Sequence, residues 1–260
     1  MKIKILSGWS MPGGSTSHHI ALTDLLNKNG YDCTFYGPHP WHLDKCKAGK
    51  IEDSDLCDDD ILISHYINYN NLGTNKVNVK KHILSCHETD IFPLNKVNVG
   101  PYDVIQYVSE FQRNWHSINK PYVIIPPIVE KVKWKCPNNN TAGVIGSIDG
   151  HKCPHLSIER ALADGYEKVL LYGNITGLPY YNEQVDKWVT EGKAVLVPHQ
   201  NDRTAMYNTV CEVYHSSLRE TYGLVEAECR LAGIPFNGES NNQDILSEEE
   251  ILERWKTVLP

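Results

Sequence analysis

The chain has 260 residues, of which 41% are hydrophobic and 22% charged, as in an ordinary globular protein that buries one large core or two smaller ones. Its formal net charge of −7 argues against broad nucleic-acid binding, although a local basic groove stays compatible with it. The eight cysteines form no C-x-x-C pair and no signal peptide precedes them, which predicts buried, reduced thiols in a cytoplasmic protein. No apolar run is long enough to span a membrane.

The beginning of the chain predicts a strand, a glycine-rich turn, a helix and a second strand. Residues 2–8 form the first strand, the helix runs from about His18 to Asn29, and residues 31–36 form the second strand. This unit is typical of a Rossmann-like sheet. The turn lacks G-x-G-x-x-G and no acidic residue closes the second strand, so the pattern only weakly favours dinucleotide binding.

Two groups of residues raise the question of a metal site. Residues 58–60 are three aspartates, but they precede an apolar strand, and we interpret them as its solvated approach. A second group has the donor atoms of a zinc site without any standard zinc spacing: His39, His42, Cys46 and Cys57. The sequence therefore predicts no metal site.

Strands and helices continue to alternate along the rest of the chain. Further strands are predicted at 61–63, 80–86, 102–109 and 122–125, with a helix at 110–117. Residues 126–140 contain three prolines and a polar turn, which is typical of a hinge. A second α/β unit follows, with strands at 142–147, 168–172, 194–197 and 212–215 and helices at 156–163, 183–190 and 203–209. We therefore predict domains at 1–133 and 134–244, and a final helix within 245–260 that packs back on the first domain.

The segment 216–236 begins as a loop and becomes a helix. Thr221 is its predicted N-cap, and Gly233 and Pro235 end it. An apolar stripe is formed by Leu224, Ala227, Leu231 and Ala232. Small Gly223 in the first turn would let an anion approach the unpaired N–H groups of the helix start.

Glu220 and Glu228 are separated by seven residues, with Tyr222-Gly223 after the first and Ala232-Gly233-x-Pro235 after the second. This pattern resembles the E-x7-E motif of retaining glycosyltransferases of the GT-B fold, glycosyltransferase family 4. The resemblance implies an α/β fold of two Rossmann-like domains facing a cleft. It also implies metal-independent transfer of a sugar, with retention, from a UDP- or GDP-sugar. The alternative is an amphipathic helix with two solvent-facing glutamates.

The resemblance assigns roles to residues that match the family's pattern. Glu220 would bind the donor sugar and Glu228 the ribose, while His87 would contact the sugar from the first domain, which also selects the acceptor. Lys152 would hold the diphosphate. The remaining cofactor-binding positions are those whose backbone lies near the donor: Gly13, Gly14, Gly146, Thr221, Tyr222, Gly223 and Leu224.

Two positions depart from the family's pattern. The family's His-Asp pair reads His87-Glu88 here, and Ser147 stands where the family carries an arginine that helps Lys152 clasp the diphosphate. Arg203 or Arg219 would then have to supply the second cation.

The acceptor is left open by the sequence. A glycan or lipid is one alternative, and a hydroxymethylated pyrimidine in DNA, as in phage-encoded enzymes acting in the host cytoplasm, is the other. Two further alternatives for the whole protein are a non-catalytic sugar-nucleotide binder and a sugar-nucleotide 2-epimerase of the same fold, which the E-x7-E pattern fits less well.

Overall fold

The computed structural model describes residues 1–8, 13–38, 46–65, 78–89, 98–198, 200, 202–239 and 243–259. The candidate zinc ligands His39 and His42 lie outside the described residues. The chain divides into two compact units. Unit 1 comprises Met1–Ile128 with Asp244–Pro260, and unit 2 comprises Val129–Gln243.

Unit 1 contains a seven-stranded parallel sheet. Its elements are β1 (Ile3–Ser7), α1 (Gly14–Lys28), β2 (Cys33–Gly37), β3 (Ala48–Lys50), β4 (Ile61–His65), β5 (Lys81–Cys86), β6 (Val104–Tyr107), α2 (Glu110–His116) and β7 (Tyr122–Ile124). The strand order is β3-β2-β1-β4-β5-β6-β7, so the direction of winding reverses between β1 and β4. Every residue of β1 and β4 is buried, which explains why Ile3, Ile5 and Leu6 in β1 and residues 61–63 in β4 are apolar.

Two details of unit 1 differ from the sequence prediction. Helix α1 begins at Gly14 and not near His18, with Gly13 as its N-cap. His18 and His19 therefore lie within the first two turns of the helix. Asp60 is not a solvated aspartate: it is buried and forms an ion pair with Lys4 at 2.8 Å. A carboxylate removed from water needs such a partner, and the partner here comes from β1.

Unit 2 contains a five-stranded parallel sheet with the order β10-β9-β8-β11-β12. Its elements are β8 (Thr141–Ile145), α3 (Pro154–Ala163), β9 (Lys168–Tyr172), α4 (Leu178–Tyr180), a π-helical turn (Tyr181–Val185), α5 (Asp186–Thr190), β10 (Ala194–Val197), α6 (Arg203–Tyr207), β11 (Glu212–Tyr214), α7 (Leu224–Ala232) and β12 (Phe236–Asn237). The prediction of two Rossmann-like α/β units is confirmed.

Helix α8 (Glu248–Lys256) belongs to unit 1. Ser247 caps it through a reciprocal pair of hydrogen bonds with Glu250, and its first turn is acidic, as favours a helix N-terminus. Its apolar face, formed by Ile251, Leu252 and Trp255, is part of the same hydrophobic core as α1 and β1. None of the helices in the described ranges is both long and apolar enough to cross a membrane.

The cysteines are less uniformly buried than the sequence analysis predicts. All eight lie in the described part of the chain as unpaired thiols. Four are buried, Cys33, Cys86, Cys153 and Cys229, whereas Cys57 and Cys136 are exposed. Cys57 and Cys136 both lie in loops.

We expect Trp255→Ala to destabilise unit 1 by about 3–5 kcal/mol, because the indole is 0% exposed and its removal leaves a large cavity. Urea unfolding followed by circular dichroism measures this change. Glu253→Ala on the same helix removes only an exposed ion pair with Lys256 and should cost less than about 0.5 kcal/mol. Equal, small effects of the two changes would show that α8 is dispensable to the core.

Candidate functional site

The candidate site of unit 2 lies where the winding of its sheet reverses. Strands β8 and β11 are parallel neighbours there, with Ala142 opposite Glu212 and Gly143 opposite Val213. The loops that follow the two strands therefore leave the sheet at the same edge, the position at which open α/β sheets bind ligands. A backbone hydrogen bond from Leu218 N to the oxygen of His151, at 3.0 Å, joins the two loops.

Asp149 organises the first of these loops. Its carboxylate accepts hydrogen bonds from the hydroxyls of Ser147 at 2.7 Å and Thr176 at 2.8 Å. It also accepts from the backbone N–H groups of His151 and Lys152, both at 3.0 Å. Burial opposes the charge of Asp149, but these four bonds outweigh it and lower its pKa. Ser147 therefore serves to fix this loop, at the position where an arginine was expected.

Two glycines let the ends of β8 and β9 approach closely. A Cβ atom on Gly173 would lie 1.7 Å from the backbone oxygen of Gly146, so no other residue fits at position 173 without displacing backbone. Gly146 has a φ of 143°, which favours glycine. The side chain of Lys152 covers this turn, since a Cβ on Gly146 would come within 3.9 Å of its Cδ and Cγ atoms.

Glu220 lies in the second loop and meets two cationic or donor groups. Lys152 forms an ion pair with its Oε1 atom, and His215 Nε2 donates to the same oxygen at 2.9 Å. Burial alone would raise the pKa of Glu220, but the charge of Lys152 and the bond from His215 outweigh it, so the pKa lies well below its ordinary value. The carboxylate is 18% exposed and ionised at neutral pH.

Helix α7 starts four residues after Glu220. Its N-cap is Gly223, whose φ of 81° is left-handed, and no side chain in the described part of the chain caps it. The prediction that Thr221 caps this helix is wrong, because the chain still turns through Tyr222 and Gly223 before helical backbone begins. The first N–H groups of α7 consequently have no partner within the helix, and its dipole favours an anion there.

The buried face of α7 also differs from its prediction. Gly223 is the N-cap and does not lie in the first turn, while Gly233 ends the helix in a left-handed conformation as predicted. Leu231 is 45% exposed and does not belong to an apolar stripe. Cys229 takes its place, since it is fully buried in a core cluster with Val213.

Glu228 is enclosed within unit 2. Its Oε2 atom accepts hydrogen bonds from Arg203 Nη1 and the Tyr207 hydroxyl, both at 2.6 Å. The side chain is 1% exposed, which excludes the alternative of two solvent-facing glutamates. Burial raises the pKa of Glu228, an effect that Arg203 and Tyr207 partly offset. Arg203 therefore forms an ion pair with Glu228.

In unit 1, the predicted residue His87 lies in a cluster of histidines after β5. One ring nitrogen from each of His18, His19 and His87 lies within 4.8 Å of those of the other two. The ring centroid of His65 is 5.0 Å from that of His19 and 5.1 Å from that of His87. Gly13 and Gly14 begin the helix that carries His18 and His19.

The three histidines of this group are neutral at pH 7. Burial lowers the pKa of His18 to about 3, and it lowers those of His19 and His87 well below the ordinary value. His65 is held differently, since its Nδ1 bonds to the Ser7 hydroxyl at 3.0 Å and its Nε2 to Glu88 at 3.1 Å. Glu88, which stands where the family has an aspartate, therefore follows His87 in the chain and bonds to His65.

The structure brings together some of the predicted residues and adds others. Gly146, Lys152 and Glu220 meet beside the start of α7, whereas Glu228 lies further along that helix in its own network. Sequence reasoning missed His215 and Asp149. His215 directly follows a strand that was correctly predicted, which was the available signal.

Comparison with known proteins bears on the fold. No protein-family model and no curated protein matches the sequence. The solved structure of HepE from Anabaena with UDP and glucose superimposes with a TM-score of 0.68 at 14% identity, covering 91% of this chain and 80% of that one. The chain has the GT-B fold.

Other glycosyltransferase structures match over similar lengths. WaaG, a glycosyltransferase involved in lipopolysaccharide biosynthesis, gives a TM-score of 0.62 at 11% identity over 98% of this chain and 90% of its own. AviGT4, involved in avilamycin A biosynthesis, gives 0.62 at 16% identity over 92% of this chain and 78% of its own. At these identities the likeness establishes the fold, and the residues of the site must carry the function.

The low pKa of Glu220 predicts a pH-dependent stability. Its ionised form contributes stability above the unfolded-state pKa, about 4.3, and that contribution is lost as pH falls toward the folded-state value. Between pH 7 and pH 3, we expect the thermal midpoint of the wild type to fall more than that of Glu220→Gln. The exposed-site variant Glu167→Gln should follow the wild type. Parallel curves for all three proteins would contradict the assigned charge.

Proposed function

We propose that the chain is a retaining, metal-independent glycosyltransferase that moves a sugar from a nucleoside diphosphate sugar to a hydroxyl acceptor. The observation that carries this proposal is the pairing of Lys152 with Glu220 beside the start of α7. These groups supply a full positive charge, a set of backbone donors and an ionised acceptor at one edge of the sheet. The E-x7-E pattern of Glu220 and Glu228 on a GT-B fold supports the same function.

The leaving group explains why such an arrangement is useful. As the bond between the sugar and the diphosphate breaks, negative charge grows on the phosphate oxygens, and fixed positive groups stabilise it. Lys152 would contribute its ammonium, and backbone N–H groups near Tyr222, Gly223 and Leu224 would add the partial charge of the helix start. Without a donor, Glu220 neutralises Lys152, so both side chains are held close to where the substrate needs them.

Glu220 would then accept hydrogen bonds from hydroxyls of the donor sugar. A carboxylate that stays ionised offers only acceptors, and sugar hydroxyls are its natural donors. His215 fixes one oxygen and thereby the plane of the carboxylate. Glu228 would bind the ribose with Oε1, since its contacts with Arg203 and Tyr207 both use Oε2.

The remaining assignments rest on the family resemblance. Thr221 belongs to the loop that approaches the diphosphate, Gly146 to the turn beneath Lys152, and His87, Gly13 and Gly14 to the sugar and phosphate contacts contributed by unit 1. Of the two arginines considered as a second cation, Arg203 is paired with Glu228. Arg219, the other candidate, directly precedes Glu220 in the chain.

The donor base is proposed from the solved relatives. HepE was crystallised with UDP and with UDP-glucose, so a UDP-sugar is the first donor to test and a GDP-sugar the second. For the acceptor we retain a glycan or lipid and hydroxymethylated DNA, to be tested once the donor is known.

A non-catalytic sugar-nucleotide binder is the second candidate, and Ser147 is the observation that favours it. The serine bonds to Asp149, so position 147 brings no positive charge to the diphosphate, unlike the arginine of the family's pattern. A binder would hold the donor without turning it over.

A thermal-shift screen against UDP, GDP, ADP, CDP and their sugar conjugates tests the donor site. A ligand at 100 times its Kd stabilises the folded state by about 2.7 kcal/mol, so the midpoint should rise with one nucleotide class. We expect the thermal midpoint to rise with UDP or UDP-glucose, and we expect the same rise when EDTA is present. No rise with any nucleotide would contradict both the transferase and the binder.

Variants of the ion pair separate the two candidates. We expect Glu220→Ala to abolish transfer while weakening UDP binding only modestly, and Lys152→Ala to weaken UDP far more than UMP, because only UDP carries the diphosphate. Lys168→Ala, an exposed lysine at the start of β9, is the matched control and should change neither quantity. Affinity is measured by calorimetry, and transfer by the release of UDP together with the glycosylated acceptor. Equal loss of UDP and UMP affinity in Lys152→Ala would remove this lysine from the phosphate site.

A further inference from the structure

The histidine cluster of unit 1 contains buried ring nitrogens whose hydrogen bonds are unmet. His18 is 1% exposed, and neither of its ring nitrogens has a partner among the described residues. The same holds for Nδ1 of His19, which is 0% exposed. A buried polar atom without a partner costs about 1–3 kcal/mol, so three such atoms in one place indicate a ligand.

A chain of hydrogen bonds fixes the protons of two of these rings. Gln106 Nε2 donates to the backbone oxygen of Ile125 at 2.7 Å, which turns Oε1 of the amide toward Ser85. The Ser85 hydroxyl donates its single proton to that Oε1, also at 2.7 Å. The Ser85 oxygen must therefore accept from Nε2 of His19 at 3.0 Å and Nε2 of His87 at 3.1 Å.

The consequence of this chain is that both rings present a lone pair on Nδ1. A neutral imidazole with its proton on Nε2 has an unprotonated Nδ1. Metal-binding histidines characteristically have their second nitrogen hydrogen-bonded in this way, which sets the tautomer and the ring orientation. Ser85 does this for two rings at once.

We propose that His18, His19 and His87 form a binding site for one divalent transition-metal ion of the zinc class. Three imidazoles suit zinc, and a three-histidine site leaves a fourth position open. Tetrahedral Zn–N bonds of about 2.0–2.1 Å place the nitrogens about 3.4 Å apart. One ring nitrogen of each histidine already lies within 4.8 Å of those of the other two, so each pair must close by at most about 1.4 Å to reach that separation.

The neighbouring groups fit this assignment. Both nitrogens of His65 are engaged, by Ser7 and Glu88, so His65 borders the site without offering a ligand. Glu88 brings a negative charge to the border of the site, because its carboxylate contacts His65 Nε2 at 3.1 Å and the backbone N–H of His87 at 3.3 Å. The proposal does not rest on the proposed transfer reaction.

Titration of the chelator-treated full chain with Co²⁺ tests the proposal. We expect one equivalent to bind with visible absorption typical of tetrahedral cobalt, and Zn²⁺ to displace it. His18→Gln and His19→Gln should each weaken binding by more than about 100-fold, while Ser85→Ala keeps all three ligands and should weaken it by about 10–100-fold. His155→Gln in unit 2 and Cys57→Ser, an exposed thiol, are the controls and should bind as the wild type does.

A measurement on the wild type covers the case in which the buried variants do not fold. X-ray absorption of the zinc-loaded chain counts its ligands, and we expect three imidazole nitrogens and no sulfur. Absence of stoichiometric binding, sulfur in the first shell, or unchanged affinity in folded His18→Gln would overturn the proposal.

Discussion

The parallel pairing of β8 with β11 is the constraint on which the candidate site depends. Lys152 and Glu220 are 68 residues apart in the chain, and they meet because the loops after these two strands leave the sheet side by side. The hydrogen bond from Leu218 to His151 holds the loops together. The ionised state of Glu220 thus depends on the strand order. A different order would separate Glu220 from Lys152, whose charge offsets the effect of burial on the pKa of the carboxylate.

Both units handle buried charge by the same physical rule. Asp60 has Lys4, Asp149 has four donors, and Glu228 has Arg203 and Tyr207. Lys4 lies in β1, and Arg203 and Tyr207 lie in α6, so these contacts join the carboxylates to other elements of the same unit. His18 is different: it is neutral, and among the described residues it is the one whose two buried polar side-chain atoms both have no partner, which indicates a binding function more strongly than a satisfied network does.

Much of the fold could be predicted from the sequence because the strands are apolar on both faces. The segments that became β4, β8 and β9 were continuous apolar runs, and burial by helices on both sides of a parallel sheet produces such runs. Helix boundaries were less predictable. The helical segment predicted to begin at Glu183 begins at Leu178, because Pro179 reads as a breaker but lies in a first turn, where proline is tolerated.

The site was predictable only where its residues are close in sequence. Glu220, Gly223 and Glu228 lie on one loop and helix, and the motif that they form was visible. The prediction of Thr221 as the N-cap was wrong because Thr221 has a typical capping side chain, whereas the backbone turn before the helix depends on Gly223. The burial of Asp60 and the grouping of His18 with His87 need the position of β1 beside β4 and of α1 against β5, which no local pattern encodes.

Unit 1 is built from two separated pieces of chain, and this affects how the protein is made. Unit 2 occupies one uninterrupted stretch, Val129–Gln243, whereas the core of unit 1 needs Trp255, Val258 and Leu259. A ribosome releases the chain from its N-terminus, and domains generally fold as units while synthesis proceeds. Unit 2 can therefore reach its native state before unit 1, although most of unit 1 is translated earlier, because the core of unit 1 needs residues that are translated after unit 2.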